Sequence, residues 1–183
     1  FYLIGRAFRK TDRAPIEGAG RPRFAAVESP RTSALLCDWA HEAGFDRAGV
    51  ARLMPADHRA FFVDWLASGN HAGMGYLARR VEARVDPREV FEGAKSALCV
   101  ALQDPSDEFE AAEVGDLWQG VARYARGVDY HDLMGELLAG LARRIEAEFR
   151  GSATRWYVDT GPVLERELAA AAGLGAVGKN TCL

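Results

Sequence analysis

The sequence has 183 residues, 49% of them hydrophobic and 27% charged, with a formal net charge of −3. That length and balance suit one domain with a sizeable core and exclude a disordered chain, while the weak acidity excludes a globally basic nucleic-acid binder. No apolar run approaches the roughly 20 residues of a membrane span, which points to the cytoplasm.

Residues 1–31 carry seven Lys or Arg against three Asp or Glu, and Pro15, Gly18, Gly20, Pro22 and Pro30 interrupt any period. They read as a flexible basic arm or extension, with a single domain over residues 32–183. A first helix is expected from Thr32 or Ser33 as N-cap, with Leu35, Leu36, Trp39 and Ala40 on its apolar face and Gly44 as its stop. Residues 45–50 read as a short strand. Pro55 is expected to open a second helix that turns Phe61, Phe62, Trp65 and Leu66 to the core and ends at Gly69. The glycine-rich loop of residues 69–75 leads to Arg79, Arg80, Arg84 and Arg88. Flexible backbone beside arginines suits anions, although Arg79 and Arg80 read as a solvated face.

Residues 97–102 form a continuous apolar run, the mark of a strand buried on both faces. Residues 104–116 are acidic and read as a surface loop. Residues 120–125 are short and strand-like. Tyr130 then opens a long helix with Met134, Leu137, Leu138, Leu141 and Ile145 on one face. Cys37, Cys99 and Cys182 form no C-x-x-C pair, so neither a disulfide framework nor an assembled metal site is expected in this chain.

The final stretch concentrates the chemistry. Residues 156–158 suit a strand, Pro162 suits a first helical position and Gly173 a helix stop, which places Asp159 at a strand-to-helix corner. Gly173-x-x-x-x-Gly178-Lys179 approaches a phosphate-binding P-loop. It follows a helix rather than a strand, and Asn180 stands where a metal-binding hydroxyl belongs, so that reading fails on context. Strands alternating with amphipathic helices indicate an α/β sandwich in which helices cover a central sheet.

Four segments in order carry a family resemblance: Gly75-Tyr76-Leu77 with Arg84-Val85-Asp86-Pro87-Arg88; Ala94-Lys95-Ser96; Ala122-Arg123-Tyr124-Ala125-Arg126-Gly127-x-Asp129-Tyr130-His131; and Val158-Asp159-Thr160-Gly161-Pro162 through Gly178-Lys179-Asn180-Thr181. The set resembles epoxyqueuosine reductases, the cobalamin and iron–sulfur enzymes of tRNA queuosine synthesis. The resemblance implies an α/β (α+β), nitroreductase-like fold that binds cobalamin in its base-off state. It also implies a ferredoxin-like module with two 4Fe–4S clusters whose cysteines are absent here, so the chain reads as the amino-terminal part of a longer, monomeric protein fed by an external electron donor.

By that resemblance Asp159 is the proton donor. Arg84, Ala122, Arg123, Gly175, Gly178, Lys179 and Asn180 line the cobalamin site, and Tyr130, His131 and Arg166 lie on the substrate side or behind it. An aspartate is a poor acid at neutral pH unless burial disfavours its charged form, and a nearby helix start acts the other way. Left open are a role for Asp159 as a plain helix cap, a reductive-dehalogenase-like activity, in which a tyrosine would donate the proton, and a non-catalytic cofactor- or RNA-binding fragment.

Overall fold

The structure, a computed structural model, describes residues 29–103, 125 and 128–183, together with the backbone of residues 2–8. Its elements run β1 Tyr2–Phe8, α1 Pro30–Glu42, β2 Arg47–Arg52, α2 Arg59–Ala67, α3 Val81–Val85, a 3₁₀ turn Pro87–Glu89, β3 Ser96–Gln103, α4 Tyr130–Glu148, β4 Arg155–Val158 and α5 Glu165–Ala171. Four strands form one mixed sheet in the order β2-β3-β1-β4. β1 is parallel to β3 and to β4, whereas β2 is antiparallel to β3.

β3 explains the layering. Its residues from Ala97 to Ala101 are at most 2% exposed. Leu98 and Val100 point to one face, where Leu36, Trp39 and Ala40 of α1 and Met134, Leu138, Leu141 and Ile145 of α4 close over them. Ala97, Cys99 and Ala101 point to the other, against Ala83 of α3 and Leu168 and Ala169 of α5. Successive strand residues alternate faces, so one apolar run feeds two cores. Each fully buried aliphatic side chain contributes about 1.5–3 kcal/mol, which makes α4 the main anchor of the first layer. The α/β class expected from the sequence is the one observed.

Several boundaries differ from expectation. Tyr2–Phe8, taken as part of an arm, is a strand between β3 and β4. The segment precedes the first proline, and Tyr2, Leu3 and Ile4 suit β structure. α1 starts at Pro30 rather than after Thr32, because proline fits the first helical position. β2 begins at Arg47 rather than residue 45, and Phe45 serves as a core side chain, 2% exposed. α2 begins at Arg59 rather than Pro55. The Ala56 amide donates to the Val85 carbonyl and the Asp57 amide to the Glu167 carboxylate, so this backbone is held by other elements. Of the aromatic face expected on α2, only Leu66 is buried, and Phe61 is 69% exposed. The expected loop at residues 104–116 and most of the strand-like stretch 120–125 lie outside the described residues.

Candidate active site

The corner after β4 is tighter than the sequence indicates. Asp159 has φ +54°, in the left-handed region, and Thr160 N–H folds back onto the Val158 carbonyl at 2.7 Å. A Cβ on Gly161 would lie 2.9 Å from Tyr157 Cγ, so only glycine passes beneath that ring. Val158, Gly161, Pro162 and Val163 are buried, and Asp159 is exposed at the sheet edge. The helix expected at Pro162 starts at Glu165, with Leu164 at its N-cap and no side-chain cap. Asp159 is therefore not a helix cap.

Asp159 meets the start of α4 instead. Tyr130, the first residue of that helix and half-buried, donates its hydroxyl to Asp159 Oδ2 at 2.5 Å. Asp129 caps α4: its Oδ1 accepts from the His131 amide at 2.9 Å and sits 2.8 Å from His131 Nδ1. The His131 amide, then its ring, hold the Asp129 carboxyl below the usual carboxylate range. The His131 ring stacks on Tyr130 with centroids 4.2 Å apart. Two sequence-adjacent aromatics, one fixed by each flanking acid, thus stand at the end of β4. Asp129 is the residue that motif reading passed over as a site member, although an Asp just ahead of a helix is an ordinary N-cap signal.

The glycine loop follows α5. Gly173, φ +82°, donates to Ala170, and Leu174 donates to Ala169, the paired bonds of a Schellman stop. Beyond it Gly178 donates to Cys182 at 2.8 Å and Thr181 to Gly178 at 2.9 Å, while Asn180 Oδ1 accepts from the Cys182 amide at 3.2 Å. Arg166 Nη1 donates to the Thr181 carbonyl, which ties this loop to α5. Lys179 and Asn180 are exposed on it. A Cβ on Gly178 would lie 2.9 Å from Asn180 Oδ1, so glycine here leaves room for the Asn180 side chain to fold back over the turn.

Arg84 enters from α3. Its Nη2 donates to the Tyr76 carbonyl at 3.3 Å, and its Nε is buried without a hydrogen-bond partner among the described residues. Burial, above all, pulls the guanidinium below its usual range, with Arg79 and Arg80 adding to this and Tyr76 and Glu165 opposing it. Arg84 shares a narrow crevice with Pro87, Leu164 and Leu168. The structure thus joins Asp159 to Tyr130, Arg166 to the glycine loop and Arg84 to the start of α5. Ala122 and Arg123 lie outside the described residues. Among the described residues, no group of three or more His, Cys, Asp or Glu could hold a metal ion, and no helix is long and apolar enough to cross a membrane.

A family model described as "Epoxyqueuosine reductase QueG, DUF1730" matches residues 84–160, the span from Arg84 to the Asp159 corner. An epoxyqueuosine reductase of Xanthomonas campestris is 42% identical over 149 residues, covering 79% of this chain and 41% of that protein. Over these spans the chain is similar to the epoxyqueuosine reductases. Another relative of that name, from Gloeobacter violaceus, is 40% identical over 154 residues, covering 83% of this chain and 47% of its own length. The chain therefore spans less than half the length of these relatives. The fold agrees: the epoxyqueuosine reductase structure from Streptococcus thermophilus superposes with a TM-score of 0.70 at 23% identity, over 80% of this chain and 40% of that one. An epoxyqueuosine reductase structure with an epoxyqueuosine-modified tRNA stem loop superposes at 0.68 with 24% identity, over 84% and 41%. The family is one of oxidoreductases.

Proposed function

We propose that the chain serves the reduction of epoxyqueuosine to queuosine at the wobble position of tRNA, with cobalamin as electron donor and Asp159 as proton donor. Converting an epoxide to an alkene takes two electrons and two protons and releases the oxygen as water, so the departing oxygen needs an acid within hydrogen-bond reach. The carrying observation is the Tyr130–Asp159 contact at 2.5 Å. A phenol that donates to Oδ2 fixes the orientation of the carboxyl, so a proton carried on Oδ1 would be delivered in a defined direction.

The residues present fit a cobalamin. Arg84 Nε is a buried donor lacking an acceptor, which a corrin side-chain carbonyl would satisfy, and the exposed loop from Gly175 through Gly178, Lys179 and Asn180 offers main chain and a cation. Asn180 Oδ1 is used within the loop, so its amide nitrogen is the free end. Bound cobalamin would supply electrons through cobalt; Ala122 and Arg123 complete the expected set. Two 4Fe–4S clusters held outside these residues, charged by an external donor in the cytoplasm, would feed it. Arg166 acts through the loop it tethers.

A second reading rests on the same contact, because it puts a tyrosine beside the aspartate: Tyr130 could deliver the proton itself. The test is turnover of an epoxyqueuosine stem loop by the full-length enzyme carrying Asp159→Asn or Tyr130→Phe, with bound cobalamin quantified by its absorption. Asp159→Asn should keep cobalamin and lose about 10²–10⁴-fold in rate, the usual worth of general acid catalysis, with Tyr130→Phe losing less. The reverse order assigns the proton to Tyr130. Near wild-type turnover by Asp159→Asn refutes the acid role.

A further inference from the structure

A cleft far roomier than the Arg84 crevice lies away from Asp159. It encloses about 960 Å³ at the opposite sheet edge, where the parallel strands begin. Arg52 closes β2 opposite Ser96 at the start of β3, Lys95 immediately precedes that strand, and Arg150 follows α4 in the turn that leads to β4. Phe91 and Phe149 line its apolar part. Arg88 also faces the cleft, but it is committed to Asp86 through bonds of 2.8 and 2.5 Å. Arg52, Lys95 and Arg150 are exposed and form no ion pair or side-chain hydrogen bond among the described residues. Glu92 is the one acid among the described residues of the lining. A local excess of positive charge in a chain whose net charge is −3 is the footprint of a polyanion site rather than a general property of the surface. α1 also opens onto the cleft through Ser29 and Thr32, and the partial positive charge of a helix start adds to the field.

We propose that this cleft holds the phosphate backbone of the RNA stem while the reactive nucleotide lies at Asp159. The inference rests on the functional reading above. β4 separates the two edges by its four residues, about 13 Å at the strand rise of about 3.3 Å per residue. A stem whose loop enters one edge can therefore lay its backbone along the other. Long cations spread around an open rim suit repeated phosphates, which position an RNA without reading its sequence. An acidic electron-donor protein fits less well, because it must reach clusters that this chain does not contain.

The test uses the full-length enzyme carrying Arg52→Gln, Lys95→Gln and Arg150→Gln together, and Lys95→Gln alone in case the triple variant folds poorly. Affinity for a stem loop with its full stem is measured across salt concentrations, beside the loop alone, inorganic phosphate and the acidic electron donor. Three lost phosphate contacts should flatten the salt slope by about 2–3, so over a fourfold rise in salt the wild type should lose about 20–40-fold more affinity than the triple variant. Lys95→Gln should remove about one unit of slope. Binding of the loop alone should be unchanged. An unchanged slope and affinity for the long stem overturns the proposal. So does a defect confined to inorganic phosphate, which makes the cleft a small-anion site, or one confined to the protein donor. If the wild-type enzyme does not bind the stem loop at all, the functional reading fails first, and this inference fails with it.

Discussion

Gly49→Ala is the substitution that most directly tests how α5 and its loop are seated. Gly49 lies in β2 against the last turn of α5, and a Cβ there would sit 2.2 Å from the Ala172 carbonyl oxygen and 2.8 Å from Leu174 Cδ1. Ordinary contact requires one backbone to retreat by about 1 Å, and close-packed interiors do not yield that freely. Overpacking costs about 1–3 kcal/mol, and the upper part of that range applies because the obstacle is main chain rather than a flexible side-chain tip. For a domain of this size about 2–3 kcal/mol lowers the melting temperature by about 4–12 °C. The displaced segment runs directly into the glycine loop, so cobalamin affinity should fall in the same variant. Thermal unfolding followed by circular dichroism, with a cobalamin titration, checks both. Gly73→Ala is the control: nothing lies within 4 Å of its Cβ position, so its effect should stay within about 0.5 kcal/mol. Equal melting temperatures for the two variants would refute the packing argument.

Two smaller outcomes follow from titratable groups. Burial raises the Cys99 thiol well above its ordinary range, whereas Cys182 is exposed; a thiol reagent at pH 8 should label Cys182 in the folded protein and Cys99 only after unfolding, as read by peptide mass spectrometry. The hydrogen bonds from Arg88 hold the Asp86 carboxyl below its usual range. The stability this represents is present above about pH 4 and is lost as pH falls through the lower folded value, so Arg88→Gln should lower the melting temperature at pH 7 and cease to matter in acid. An equal deficit at both pH values would assign the loss to packing.

What the sequence disclosed tracks how local the cause is. β3 and α4 were legible because an uninterrupted apolar run and a clean helical stripe are decided by a few adjacent residues. The stop at Gly173 was legible for the same reason. Helix starts were not: α2 and α5 begin several residues after their prolines. In α2 the reason is distant, since the Asp57 amide is claimed by Glu167, 110 residues away. Phe61 of α2 was misassigned because i, i+3, i+4 spacing marks a face without saying what covers it. At the site, the motifs located Asp159, Tyr130 and the glycine loop. The hydrogen bond joining the first two spans 29 residues and has no signature in either segment.

The left-handed backbone of Asp159 supplies a last prediction. A non-glycine residue with φ near +54° costs about 1–3 kcal/mol, at the low end for Asp, and persists where its surroundings hold it. Glycine would adopt this conformation without that cost, and no cap bond to α5 offsets it. What the carboxylate contributes to folding is the Tyr130 hydrogen bond, worth about 0.5–1.5 kcal/mol net. Asp159→Gly therefore exchanges two terms of similar size, and the melting temperature should move by no more than about 4 °C in either direction. Activity should fall as far as in Asp159→Asn, because both remove the acid. A residue that strains the backbone, adds little stability and is indispensable for turnover is retained for chemistry. If Asp159→Gly instead melts far below the wild type, the corner depends on the carboxylate for its shape, and the lost activity would follow from a collapsed site rather than a missing proton.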